Sequence, residues 1–280
     1  MQVSEPVFNP ALVTTQQPSP TTLMLRAWIW MLRRDLVVGR RQLVAFLMMF
    51  LLQPVFYLFV FGKVLPAMQL ADARYTLFVA PGIVAFTLFL AGVQSTAFTT
   101  ASEFGWTREV EDRIMAPIAW ELVALEKIVY GTLQAMLGAL VILLLARPIL
   151  GDWPVPSQWR WSIVVPTIIL SGLLSASLGL ALGTRVRAAN IGMVFSMVLG
   201  PMMFLGGPFY PWSGLDGFPI LKAVSLVNPL LYISEGFRAG MIDGYVSLPP
   251  ALIFAVLMLT IVLLASAGIG GFVKRARESS

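Results

Sequence analysis

Six long apolar runs separated by short polar loops account for most of this chain, and they limit what it can fold into. A hydrocarbon core about 30 Å thick needs roughly 20 apolar residues of α-helix to cross it. Six stretches approach or exceed that length with few charged residues: 42–62, 75–101, 121–146, 161–184, 188–207 and 248–273. The sequence therefore predicts an all-α membrane protein with about six transmembrane helices.

The composition excludes several classes of function. Only 12% of the 280 residues are charged, whereas an ordinary soluble domain has about 25%. The chain has no Cys and no His, which removes disulfides, thiolate nucleophiles, imidazole bases and the usual zinc ligands, so no metal site is expected. Its net charge is +5, but the basic residues are scattered at the ends of apolar runs, and nucleic-acid binding is not expected.

The distribution of Lys and Arg predicts the orientation. Residues 1–20 are polar and contain proline, without the basic-then-apolar order of a signal peptide, and we interpret them as a disordered cytoplasmic tail. With that tail inside, the inner segments hold 12 of the 19 basic residues and the outer segments 6, while Lys127 lies at the start of a span. This bias predicts a multi-pass protein of a bacterial inner membrane with both termini cytoplasmic.

Residues 21–40 have the pattern of an amphipathic helix before the first span. Five apolar residues recur at helical spacing, and four arginines, with Arg41 directly after them, collect elsewhere on the same helix. We favour an interfacial helix with its arginines at lipid phosphates. The alternative is a basic extension of the first span. The apolar set is Leu25, Trp28, Ile29, Leu32 and Leu36.

Two spans carry small residues on one face. Ser171, Ser175, Gly179 and Gly183 repeat every four residues in the fourth span, and Gly131, Ala135 and Ala139 do so in the third. Small residues let helices approach closely in lipid, so we favour helix contacts over a substrate path.

A polar cluster ends the second span. Hydroxyl and amide groups prefer a protein interior or a wet cavity to lipid, so this cluster is a possible pathway lining. Alternatively, the side chains only bond carbonyls of their own helix, and the two interpretations stay open. The residues concerned are Gln94, Ser95, Thr96 and Thr99.

Two loops stand out. Residues 103–117 are dense in both charge signs and predict a short amphipathic cytoplasmic helix, although a solvated loop is the simpler alternative. Residues 208–240 are broken by Gly and Pro into pieces too short to cross the membrane singly, which favours a re-entrant outer helical hairpin before the last span. Within it, Glu235 and Arg238 are three residues apart on one helix face, where they can neutralise each other.

Three motifs in this order resemble the type-2 ABC (ABC-2) exporter permeases. They are Asp112-Arg113-Ile114-Met115-Ala116-Pro117-Ile118, the segment from Leu205 to Pro211, and Asn228-Pro229-Leu230, with Glu126-Lys127 entering the third span. The resemblance covers the chain from about Thr21 and is nearest to the daunorubicin-resistance and nodulation-factor export branches. Gly206 replaces the usual small residue before the second family glycine, and Val110-Glu111-Asp112 replaces an acidic-Gly-Thr start, which leaves the substrate open.

The resemblance implies that 21–280 form one ABC-2 transmembrane domain and that the two loops are the working parts. Helix 103–117 would couple to an ATPase through Glu103, Arg108, Glu109, Glu111, Asp112, Arg113, Met115 and Pro117. The re-entrant segment would act as a gate through Gly206, Gly207, Pro208, Tyr210, Pro211, Asn228, Pro229, Glu235 and Arg238. The partners implied are two ABC ATPase subunits, a second permease copy or close paralogue, and membrane lipids.

The same resemblance implies export of an amphipathic compound: a drug or antibiotic, a lipid or a lipid-linked glycan. None of the four lysines stands in a Gly-x-x-x-x-Gly-Lys-Ser/Thr phosphate cradle, so ATP and Mg would be bound by the partner, and this chain is expected to be no enzyme and to bind no cofactor. Two rival classes stay open. An ion-coupled secondary transporter would need mid-membrane ionisable groups, and an intramembrane enzyme would need converging carboxylates.

Overall fold

The computed structural model describes residues 20–72, 74–105, 118–151, 156–245 and 248–279. Every regular element within these ranges is helical, which confirms the predicted all-α class. The α-helices are α1 Pro20–Arg41, α2 Leu43–Phe59, α3 Leu65–Ala67, α4 Tyr75–Gly105, α5 Trp120–Leu150, α6 Trp161–Arg185, α7 Ile191–Val194, α8 Gly200–Leu205, α9 Pro219–Ser225, α10 Pro229–Met241 and α11 Pro250–Ser279.

Six helical stretches in the described residues are long and apolar enough to cross a membrane. They are Phe50–Ala67, Tyr75–Gly105, Trp120–Leu150, Trp161–Arg185, Ala188–Leu205 and Pro250–Glu278. Their number agrees with the six runs of the sequence. Two of them are composite helices, because π-helical turns Val60–Val64 and Phe195–Leu199 join the shorter α-helical pieces.

The π-helical turns lie next to prolines. Pro66 has no N–H to donate to the carbonyl of Gly62, four residues earlier, and its ring crowds that carbonyl. The Gly62 oxygen instead accepts a hydrogen bond from Thr76 Oγ1 at 2.9 Å. The carbonyl that proline leaves without a helical donor thus links the first span to the start of α4.

Helices α1 and α2 are nearly continuous. The Gln42 N–H donates to the carbonyl of Val38 at 3.2 Å, and the Phe46 N–H donates to the carbonyl of Gln42 at 2.9 Å, so helical hydrogen bonds continue through the turn. Trp28 Nε1 donates to the carbonyl of Leu122 at 3.0 Å, which fastens α1 to the start of α5. This geometry is compatible with both predicted interpretations of residues 21–40.

Helix α4 lies at the centre of the bundle. In the most apolar part of α4, 83% of the residues are buried, whereas in the most apolar part of the last span only 17% are. It packs against α2, α5, α6 and α10, and most of its apolar side chains belong to the main hydrophobic core. Helix α4 therefore contacts the other helices of the bundle on several sides.

The small-residue faces of α5 and α6 pack against α4, as predicted. A Cβ atom at Gly179 would lie 2.5 Å from the carbonyl oxygen of Val93, and one at Gly183 would lie 2.8 Å from that of Ala97. On the other side, a Cβ at Gly131 would lie 1.9 Å from Thr96 Oγ1. These separations are too short for any larger side chain, so the helix-contact interpretation is confirmed.

Candidate functional site

A buried arginine organises the predicted re-entrant segment. Arg238 lies on α10 and its side chain has no exposed surface. Its guanidinium donates hydrogen bonds to the backbone carbonyls of Phe78 at 3.0 Å, Gly207 at 2.5 Å and Pro208 at 3.1 Å. One side chain thus joins α10, the start of α4 and the turn that follows α8.

Glu235 neutralises this arginine. Its Oε1 atom lies 3.0 Å from Nη1 of Arg238, so the predicted ion pair is confirmed, and both side chains are fully buried. The same oxygen accepts from the Trp212 N–H at 3.0 Å, and Oε2 accepts from the Tyr245 hydroxyl at 2.8 Å. Each charge is therefore compensated by an opposite charge and by hydrogen bonds, which makes its burial tolerable.

Gly82 makes room for the arginine cluster, and the sequence interpretation missed it. A Cβ atom at this position would lie 1.9 Å from the carbonyl oxygen of Pro208 and 2.8 Å from Nη2 of Arg238. The sequence contained only a local hint that this position is special: Gly82 follows Pro81 inside an otherwise apolar span. Its partners lie more than 120 positions further along the chain, so spacing could not reveal them.

The other predicted gate residues shape the turn between α8 and α10. Gly207 has a φ of +68°, a left-handed conformation that favours glycine. Asn228 caps α10 by accepting from the Leu230 N–H at 3.0 Å, and its Nδ2 donates to the Met202 carbonyl at 2.5 Å. Pro229 occupies the first helical position, where its missing N–H costs nothing.

Tyr210 fastens the same turn to the preceding helix. Its hydroxyl donates to the carbonyl of Phe204 at 2.7 Å. Burial raises the pKa of this phenol above its ordinary value of 10.0, and the charge of Arg238 opposes the rise. Pro211 precedes the 3-10 helix Trp212–Leu215, and Gly206 would bring a Cβ to 2.6 Å from Leu230. The structure thus brings all the predicted gate residues into one tightly packed region.

A second buried ion pair lies at the opposite end of α4. Lys127 Nζ lies 2.6 Å from Oε1 of Glu103, with 4% and 9% of the two side chains exposed. We assigned Glu103 to a coupling helix at 103–117, but the structure places it in the last turns of α4, with its carboxylate inside the bundle. The carboxylate points inward because Lys127, about two turns into α5, faces it.

Most of the predicted coupling residues lie outside the described residues. They are Arg108, Glu109, Glu111, Asp112, Arg113, Met115 and Pro117. The residues on either side are well anchored. Phe104 packs on Phe272 with ring centroids 5.2 Å apart, Arg275 lies 4.8 Å over the Phe104 ring, and Ile118 packs on the core cluster that contains Phe272.

The predicted pathway lining does not converge on one surface. Ser95 and Thr96 are buried between helices, Gln94 is half-buried and Thr99 is exposed. Ser95 donates to the carbonyl of Gly92 at 3.3 Å, and Thr99 donates to that of Ser95 at 2.8 Å. These bonds agree with the alternative that the hydroxyls bond their own helix, whereas a lining role stays a prediction.

Comparison with known proteins identifies the family of this chain. Residues 26–242 match the family description "ABC-2 type transporter". The chain is 26% identical over 213 residues to the inner membrane transport permease YadH of Escherichia coli K12, covering 74% of this chain and 78% of that protein. It is 26% identical over 220 residues to nodulation protein J of Sinorhizobium fredii NGR234, covering 77% and 81%.

The matched region contains both ion pairs and five of the six candidate spans. YadH is an inner membrane transport permease, and a multi-pass inner-membrane location agrees with the six apolar helices of this chain. The chain therefore belongs to the ABC-2 type transporter family and is a permease component of membrane transport.

Proposed function

We propose that this chain is the transmembrane permease subunit of an ATP-driven exporter, moved by separate ATPase subunits. Two ATPases would act on a pair of permeases, either two identical copies or this chain and a close paralogue. ATP and Mg would be bound by the ATPases, since the sequence has no phosphate cradle of its own.

One observation carries this proposal: α4 connects the two parts that a coupled permease has to link. Its end at Gly105 borders the predicted coupling segment, where Lys127 holds Glu103, and near its start the carbonyl of Phe78 is bound by Arg238. The two attachments are 25 residues apart, or about 38 Å of α-helix. A push on the coupling segment would therefore reach the predicted gate through one packed helix.

The proposed cargo is an amphipathic compound, such as a drug, a lipid or a lipid-linked glycan. It would enter from the inner leaflet or the cytoplasm and cross between the paired permeases as access alternates. Support comes from the largely apolar spans with hydroxyl groups at the end of α4, and from family membership. Glu103 and Glu235 each form an ion pair with a basic partner, which favours a structural role for these two carboxylates over proton carriage.

The coupling assignment is testable by charge reversal. We would co-express the tagged chain with a candidate ABC ATPase and measure co-purification and ATP hydrolysis. A variant with Glu109→Lys, Glu111→Lys and Asp112→Lys should lose most of both, because docking on the ATPase would use these carboxylates.

The matched control reverses three other carboxylates, Asp72, Asp216 and Asp243, which are exposed and lie in loops predicted to be on the outer side. This control should bind the ATPase like the unmodified protein. If the first variant keeps binding and hydrolysis unchanged, the segment that contains Glu109, Glu111 and Asp112 is not the docking element.

A further inference from the structure

A groove of about 200 Å³ lies where the turn between α1 and α2 meets α5. Its walls are apolar, and they are formed by Leu36, Leu43, Phe46, Leu133 and Leu137. The groove is open on one side, and two of its leucines, Leu36 and Leu133, are about 40% exposed. In the single chain this opening is on the surface of helices apolar enough to cross a membrane, where lipid has access to it.

Polar groups stand at one end of the groove. The Gln134 amide and the Tyr130 hydroxyl are 2.8 Å apart, and both line the cavity. The Gln134 amide donates to the Tyr130 oxygen, and the O–H hydrogen of Tyr130 has no acceptor among the described residues. Gly39 lets the Tyr130 hydroxyl pack closely against the backbone of α1, because a Cβ atom at position 39 would lie 2.3 Å from that hydroxyl.

Two arginines border the same end. Arg40 lines the groove, and Arg41 follows it at the end of α1; both are exposed. Neither forms an ion pair with any residue that the structure describes, whereas Arg34 on the same helix is paired with Asp35 at 2.9 Å. The two exposed arginines therefore give this end of the groove a positive rim, while the carboxylates of Asp35 and Glu126 also act on Tyr130.

The depth of these groups agrees with the head-group region. Lys127 and Arg147 are 20 residues apart on α5, about 30 Å of helix and thus one hydrocarbon thickness. Tyr130 lies about 5 Å beyond Lys127, and Leu137 lies about 10 Å further along the helix. The long side chains of the arginines next to Tyr130 would then reach outward to the phosphates, with the apolar walls extending into the acyl region.

We propose that this groove binds one anionic phospholipid. Arg40 and Arg41 would hold its phosphate, the donor of the Tyr130–Gln134 pair would bind an ester carbonyl, and one acyl chain would lie along the apolar walls. The bound lipid would fill the space between the α1–α2 turn and α5. This site does not depend on the proposed export function, and its test needs no ATPase.

The experiment is a lipid titration followed by native mass spectrometry. The purified, delipidated chain is titrated with dioleoyl phosphatidylglycerol, with dioleoyl phosphatidylcholine, which has the same chains without net charge, and with glycerophosphate, which has the phosphate without chains. We expect one phosphatidylglycerol per chain, bound at least about tenfold tighter than phosphatidylcholine, and no displacement by glycerophosphate. Equal affinity for the two lipids, or displacement by glycerophosphate, would overturn the proposal.

Variants locate the site. Replacing Arg40 and Arg41 together by Gln should weaken phosphatidylglycerol binding about thirtyfold, while the same change at Arg26 and Arg33 should leave it unchanged. Leu137→Trp should block the groove, whereas Leu140→Trp, on an exposed part of α5, should not.

A charge-preserving control separates lipid binding from misfolding. Replacing Arg40 and Arg41 by Lys should retain most of the affinity, since an ammonium also binds phosphate. If the Gln pair and Leu137→Trp bind the anionic lipid as tightly as the unmodified chain does, the lipid is not in this groove.

Discussion

The ammonium of Lys127 lies 2.6 Å from the carboxylate of Glu103, and the contact joins the last turns of α4 to α5 inside the bundle. Removing one partner of a buried ion pair leaves an uncompensated charge in a low-dielectric interior, typically at a cost of about 3–5 kcal/mol. Replacing both partners by apolar residues often costs far less. The pair can therefore be tested apart from general packing.

We predict that Lys127→Met destabilises the protein strongly and that adding Glu103→Leu restores much of the loss. The single change strands the carboxylate, while the double change leaves no buried charge from the pair. Thermal unfolding in detergent, followed by the fluorescence of the eight tryptophans, measures both. Equal melting temperatures for the unmodified protein and the single variant would contradict the burial described above.

A second prediction concerns Arg238. Arg238→Met should destabilise the region between α8 and α10 by about 3–5 kcal/mol, because three backbone carbonyls and Glu235 lose their donor together. Limited proteolysis should then cut between residues 206 and 228.

Lys222→Met is the matched control: Lys222 pairs with the exposed Asp216 and lies over the Trp212 ring, and losing both contacts should cost only about 1 kcal/mol. Similar proteolytic resistance of Arg238→Met and Lys222→Met would show that the buried cluster does not hold the segment in place.

A third prediction compares two glycines. Gly82→Ala should destabilise the protein by about 1–3 kcal/mol, since the new methyl group would overlap the carbonyl of Pro208. Gly270→Ala, in α11 with no atom within 4 Å of the added Cβ, should be neutral or slightly stabilising. The melting temperatures of the two variants measure these changes in stability. Equal shifts in melting temperature at the two sites would refute the tight contact between α4 and the turn at Pro208.

A fourth prediction concerns orientation, and the chain suits the test because it has no cysteine of its own. Single cysteines at Ser4 and Glu109 should react with a membrane-impermeant maleimide only after the cells are opened, while one at Ser157 should react in intact cells. Labelling of positions 4 and 109 from opposite sides of the membrane would exclude the proposed arrangement of tail and coupling segment.

Sequence patterns were sufficient where the signal was local. Span positions followed from hydrophobic runs, and the Glu235–Arg238 pair followed from a spacing of three on one helix. The packing of Gly179 and Gly183 likewise followed from a small residue at every fourth position. Each of these features is decided within one helix, so periodicity can detect it.

Contacts between distant parts of the chain could not be predicted in this way. Glu103 was assigned to a loop helix because it borders a charged segment, and its partner is 24 positions away on another span. Arg238 reaches the carbonyl of Phe78 across 160 positions. A backbone acceptor has no side-chain signature, so neither the arginine's carbonyl partners nor the need for Gly82 can be inferred from one sequence.

The most direct test of the central claim, that this permease moves only when a separate ATPase drives it, is ATP hydrolysis and substrate flux in proteoliposomes containing the chain with and without its ATPase. The account predicts neither activity from the permease alone, and both from the complex, with both lost when Glu109, Glu111 and Asp112 are reversed to Lys. Nucleotide turnover or directed transport by the purified permease alone would contradict it.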